Sequence, residues 1–242
     1  MQSLARLDLD NCDILTTMRN HIFSIDEYYH LYNRGTDKRV IFNDHQDRTR
    51  FQALLYLCNS NENVHMINIS NGSVKDPYLV EKDQSLVAIG AYVLMSNHFH
   101  ILVKEQSEGG VSRFMQKLLT AYTMYFNQKY ERGGALFQGR FKSRHVADNV
   151  YLKYLYAYIH MNPCKTLSPS WKTTLPQSGA LLKYLNEYAY SSMFDFIDPN
   201  SRPEYKILHT GAFPNYFTKP TSHKKFIEEW LAIKDFIEVQ PR

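Results

Sequence analysis

His98 and His100 flank a single apolar residue, Phe99, in the run HFHILVKE. Alternate side chains on a β-strand share a face, so the two imidazoles would project together about 7 Å apart and can converge on one divalent ion. Neutral nitrogen donors suit Mn, Zn, Ni or Fe, although availability can still make Mg the working ion. A pair of satisfied histidines on a half-buried strand fits the same pattern, and H-x-H alone does not separate the two. A second constellation lies in DNVYLKYLYAYIHMNP, where Tyr151, Tyr154, Tyr158 and Asn162 recur at spacings of three and four and form one helical stripe. Tyr158 and Asn162 then stand one turn apart, a phenol that can act as nucleophile beside an amide that can donate its oxygen to a metal. Tyr151 and Tyr154 read as core aromatics. Asn162 fits a core role less well, because an inward-facing amide needs partners.

The segment QGRFKSRH places Arg140, Lys142 and Arg144 in alternation with Phe141 and Ser143. As a strand it would present one cationic face, suited to backbone phosphates or to solvent. Its position directly before the tyrosine helix favours DNA. Arg34, Lys38 and Arg39 make a second basic turn, while Arg113, Lys117, Lys129 and Arg132 read as ordinary solvent-facing charges.

The elements that must position these residues follow from periodicity and punctuation. YYHLYNRG (28–35) predicts an aromatic strand ended by a turn at Asn33-Arg34-Gly35. Phe51, Leu54, Leu55 and Cys58 lie at helical spacing behind an Asp44 cap. Residues 59–85, with a short apolar alternation from Val64 to Ile69, read as an inserted excursion. The runs at 86–95 and 98–105, separated by Ser96-Asn97, predict a hairpin. Ser112 is expected to cap a helix reaching about Tyr130, with Phe114, Met115, Leu118, Leu119, Tyr122, Tyr125 and Phe126 on its apolar side. A strand over 135–147 leads to Asp148, the cap of the tyrosine helix, which must stop near Asn162 because Pro163 disfavours helical geometry before it. The order β-α-β-β-α-β-α predicts an α+β fold, a ferredoxin-like antiparallel sheet with helices packed on it. It divides into an N-terminal arm (1–25), a catalytic domain (26–165) and a mainly helical C-terminal extension (166–242), with a helix over about Ser222–Phe236.

Composition narrows the class. The 242 residues are 44% hydrophobic, enough for a substantial core, and a net charge of +4 is too small to drive binding by charge alone. The 18 Tyr and 14 Phe suit stacking on unpaired bases, though they also fill cores. Three widely spaced cysteines, Cys12, Cys58 and Cys164, fit neither a disulfide framework nor a metal knuckle. With no signal peptide and no apolar run approaching the ~20 residues of a membrane helix, the expectation is a cytoplasmic protein with no membrane partner.

From Tyr29 to Asn162 the chain resembles the single-tyrosine HUH transposases of bacterial insertion sequences, most of all the REP-associated tyrosine transposases. The resemblance rests on YNRG at 32–35, MSNHFHILV at 95–103, the helix at 112–130, GALFQGRFKS at 134–143 and YIHMNP at 158–163. It implies a divalent metal, Mg or Mn, bound by His98, His100 and Asn162, and Tyr158 as the nucleophile toward single-stranded or hairpin-forming DNA. The product would be a 5′-phosphotyrosine and a free 3′-OH. Asn at 162, where mobile-element enzymes tend to carry Gln, implies the monomeric group with its tyrosine in cis rather than a helix-exchanging dimer. Two other classes stay open, a non-catalytic hairpin-binding regulator and a metal-dependent hydrolase. No general base for Tyr158 is identified, and His160 is expected to face elsewhere on the helix.

Overall fold

Strand β1 (Tyr28–Arg34) alternates strictly: Tyr29 and Leu31 pack into one apolar cluster, while Tyr28 and His30 turn to the opposite face. In the computed structural model, which describes residues 22–62, 76–167, 171, 178–217 and 219–232, this strand lies inside a four-stranded antiparallel sheet. Strands β2 (Val87–Leu94), β3 (His98–Glu105) and β4 (Lys142–His145) complete it in the order β2-β3-β1-β4. The expected ferredoxin-like plan is therefore present, with the hairpin β2-β3 and the split pairing of β1 between β3 and β4.

Each face of the sheet carries its own core. Helices α1 (His45–Leu57) and α2 (Gly110–Lys129) cover one face through Phe51, Leu54, Leu55, Phe114, Leu118 and Tyr122. On the other lie α3 (Asn149–Met161) and the elements beyond it: α4 (Cys164–Leu167), α5 (Ser178–Glu187), α6 (Met193–Ile197) and α7 (Pro220–Ala232). Cover on both faces explains why all eight residues of β2 are buried. Among the described residues no helix is long and apolar enough to cross a membrane.

The caps read from the sequence hold at two helices and fail at a third. Asp44 accepts from Asp47 N at 2.9 Å and Asp148 accepts from Tyr151 N at 2.7 Å, as N-cap carboxylates should. Helix α2, by contrast, begins at Gly110, and Ser112 lies inside it. Gly109 precedes it with φ +66°, and Glu105 at the end of β3 accepts from Val111 N at 3.3 Å. The cap thus comes from a neighbouring strand, and Gly109 takes the left-handed turn that brings the helix back to it. The first strand also runs through Asn33 and Arg34, so the turn falls later, at Thr36–Lys38.

The strand expected over 135–147 shortens to Lys142–His145. Gly134 and Gly139 take positive φ, and residues 135–141 form a loop whose backbone pairs with the first strand's end through an isolated bridge between Gly35 and Phe137. Arg140 consequently lies off the strand and is exposed. The charges on α2 are also committed more than expected: Lys129 pairs with Asp44 and Asp47 at 2.7 Å, and Lys117 donates to Ser60 O and Glu62 O at 2.6 Å.

The C-terminal region packs on the domain and covers the free edge of β2. Leu94 N donates to Tyr190 O, Ser192 N to Tyr92 O and His209 N to Ile89 O, which occupies backbone groups an edge strand would otherwise expose. Phe213 lies flat over Gly90, where an added Cβ would come within 2.6 Å of its ring. Helices α5 and α6 were not legible in the sequence, and α7 starts two residues before the expected Ser222. The arm residues 1–21, the alternation from Val64 to Ile69 and the tail beyond 232 lie outside the described residues.

Candidate active site

Strand β3 places His98, His100 and Leu102 on the face covered by α3, and Phe99, Ile101 and Val103 on the other. The two imidazole centroids are 5.2 Å apart. Helix α3 crosses this face with its apolar residues down, and the stripe expected for it is present: Tyr151 stacks on Tyr154 at 5.8 Å, and Tyr154 on Tyr158 at 6.2 Å. The Tyr158 ring, 4% exposed, meets the His100 ring edge to face at 5.3 Å. One turn further, Asn162 ends the helix and is 1% exposed. The structure thus brings together His98, His100, Tyr158 and Asn162 from two elements.

Electrostatics keep the histidines neutral. Burial lowers His98 to about 4, helped by the positive charges of Lys165 and Arg34 and opposed by the neighbouring Asn162 amide. His100 is held well below the usual imidazole range by burial and by the adjacent His30 and His98. Each has one ring nitrogen engaged: His98 Nδ1 lies 2.7 Å from Asn97 Oδ1, and His100 Nδ1 lies 2.9 Å from His30 Nε2. Asn97 also donates through Nδ2 to Lys38 O at 3.1 Å, which turns its oxygen toward His98. His98 therefore donates from Nδ1 and keeps its Nε2 lone pair, the form that binds metal.

Asn162 supplies the test of whether a metal suits this place. Its Oδ1 and Nδ2 are both buried, and neither makes a hydrogen bond of regular geometry among the described residues, although the amide lies near enough to His98 to raise that imidazole's pKa. An amide left in this state costs free energy unless something accepts or donates to it. A divalent ion would take its oxygen together with the two imidazole Nε2 atoms. Among the described residues no group of three or more His, Cys, Asp or Glu side chains offers an alternative metal site. Two neutral imidazoles and an amide oxygen would suit a first-row ion such as Mn.

A cavity of about 260 Å³ opens over this cluster, lined by His98, His100 and Tyr158 and by the cations Arg34, Lys38, Lys142 and Lys165. Lys142 stands opposite Tyr32 and Arg144 opposite His30, so the basic strand does present two charges on the site's face. Arg144 covers the Tyr151 ring at 4.7 Å. Arg34 bonds Gln138, whereas Arg39 folds back onto Thr36 O at 3.2 Å and does not line the cavity. Two residues escaped the sequence. His30 shares the alternation of Tyr28 and Tyr32, but its pairing with His100 depends on β1-β3 register; Lys165 follows Pro163, where helical periodicity ends. His160, as expected, faces elsewhere: it bonds His223 Nε2 at 3.1 Å and Ser192 Oγ at 2.8 Å in the core.

The site is an antiparallel α+β sheet whose H-x-H strand faces a tyrosine helix. Residues 79–162 match the family model described as "Transposase IS200 like". Solved structures similar to the chain include a REP-associated tyrosine transposase bound to a REP hairpin, at 14% identity and TM-score 0.45, covering 78% of this chain and 90% of that one. Another is tRNA(His) guanylyltransferase from Saccharomyces cerevisiae, at 10% identity and TM-score 0.34, covering 86% of this chain and 87% of that one. No curated protein matches the chain.

Proposed function

We propose that the protein is a metal-dependent single-strand DNA endonuclease and strand transferase, acting on hairpin-forming DNA through a covalent tyrosyl intermediate. One observation carries the reading: the Tyr158 ring packs 5.3 Å from that of His100, with the orphaned Asn162 amide one turn further along the same helix. The IS200-like match spans all four residues.

His98, His100 and Asn162 would hold the ion, which when bound polarises a non-bridging phosphate oxygen and fixes the scissile group. Tyr158 Oη attacks phosphorus, forming the tyrosine–phosphate bond as the bond to the 3′-oxygen breaks. The phenol gives up its proton and the departing 3′-oxygen gains one, leaving a 5′-phosphotyrosine and a free 3′-OH. The ester bond energy stays available for rejoining, so no nucleotide cofactor is required. Lys142 and Arg144 on the site's face, with Arg34 and Lys38 lining the cavity, form the basic path for the strand. Tyr158 packs against His100 of its own sheet, an arrangement that suits a tyrosine working in cis.

The test is incubation with labelled hairpin-tailed single-stranded DNA and manganese, scored for a protein-DNA adduct that survives denaturation. Tyr158→Phe should abolish the adduct, and His98→Ala or a chelator should suppress it. Cleavage without an adduct would instead identify a hydrolase, and binding without either a regulator.

A further inference from the structure

Lys165 is the cation placed against the nucleophile. Its Nζ lies 5.4 Å from the centroid of the Tyr158 ring, and it lines the same cavity as His98 and His100. The backbone that presents it is well fixed. Lys165 N donates to Asn162 O at 3.1 Å, and Thr166 donates to Pro163 O through N at 2.9 Å and through Oγ1 at 2.6 Å. Cys164 between them is fully buried, and Thr166 Oγ1 also meets Tyr184 Oη at 2.6 Å, which ties the turn to α5. The fixed turn sets where the Lys165 stem begins, and its length carries the ammonium to the cavity beside Tyr158.

We propose that Lys165 is a catalytic residue that grips a non-bridging oxygen of the scissile phosphate beside Tyr158. This rests on the transesterase reading above. Phosphorus gains a fifth oxygen as Tyr158 attacks, and the charge on its non-bridging oxygens must be held while the 3′-oxygen leaves. A cation already beside the nucleophile before the reaction offsets that charge as it develops. Arg34 and Lys142 line the wider cavity and suit neighbouring phosphates, so Lys165 is separated from them by its role in the chemical step.

The experiment compares wild type, Lys165→Arg and Lys165→Gln, each first shown to be folded by circular dichroism. Adduct formation is timed on a pool of hairpin-tailed single-stranded oligonucleotides with randomised flanks, in manganese. Lys165→Gln should slow the adduct by about a hundredfold or more, the scale for losing one preorganised charge donor, and Lys165→Arg should recover most of that. The cleaved linkage is then mapped from the adduct and replaced by an uncharged methylphosphonate. There the ratio of wild-type to Lys165→Gln rates should collapse toward one, because the charge Lys165 neutralises is gone; an unchanged ratio overturns the proposal. If wild type forms no adduct, the transesterase reading fails separately, and the phosphate contact is judged by binding to oligothymidylate at several salt concentrations. Lys165→Gln should then reduce the log-log salt slope by about 0.7, the value for one contact to a single strand, and an unaltered slope overturns it.

Discussion

His30 and His100 meet across adjacent strands, Nε2 to Nδ1, at 2.9 Å. Both are buried, and burial together with the charge of Arg144 lowers His30 to about 3, so the pair is neutral at physiological pH. In the metal-ready arrangement His100 donates from Nδ1 to His30 and turns its Nε2 lone pair into the cavity. Partners of this kind typically contribute 10–100-fold to metal affinity. His30→Phe should therefore weaken Mn binding by about that factor, read by titration calorimetry or the loss of free-ion paramagnetic signal, with the fold intact. Equal affinity in the variant would leave His30 a packing residue.

Asn162 sets function against stability. Its amide is buried without a hydrogen bond of regular geometry among the described residues, a condition that costs up to about 1–3 kcal/mol for a buried polar group. Asn162→Leu should raise the melting temperature of the metal-free protein while lowering its affinity for Mn and its rate of adduct formation. A loss of metal-free stability would show that the amide has a structural role instead.

The basic residues separate by where their side chains go. Lys142 and Arg144 stand on the site's face of the edge strand, whereas Arg39 is folded onto its own turn. Lys142→Ala and Arg144→Ala should each lower the salt slope of single-strand binding by about 0.7. Arg39→Ala should change it less. Fluorescence anisotropy across a salt series measures all three, and identical slopes for the three variants would remove the distinction.

Acid should loosen the junction between α3 and α7. Burial lowers His223 to about 3, and it faces His160 Nδ1, with Ser192 on that ring's far side. Unfolded, a histidine takes up its proton near 6.5, so below that pH the unfolded chain binds more protons than the folded one. Stability is then lost as pH falls from about 6.5 toward 3, by about 1.4 kcal/mol per pH unit for each such group. Thermal melts from pH 7 to 4 should show this slope, and His223→Leu should lessen it by about 1.4 kcal/mol per pH unit, with the other buried histidines carrying the rest. A slope unchanged in the variant would mean that other groups carry the acid response.

Local chemistry was legible where one element decides it. Strand alternation alone puts His98 and His100 on one face, and helical spacing alone puts Asn162 a turn beyond Tyr158, because these periods are properties of the backbone. Asp44 and Asp148 were legible as caps for the same reason, since each bonds a backbone N–H three residues ahead. What tertiary structure decided needed two elements to meet. His30 reaches His100 through the β1-β3 register, Glu105 replaces Ser112 as the cap of α2 from a neighbouring strand, and Lys165 arrives over Tyr158 through a turn after Pro163. The length of β4 was likewise set by where its pairing with β1 ends, and the helices over β2 by the apolar face left for them to cover. Periodicity reports the face on which a side chain lies; only packing determines what stands opposite it.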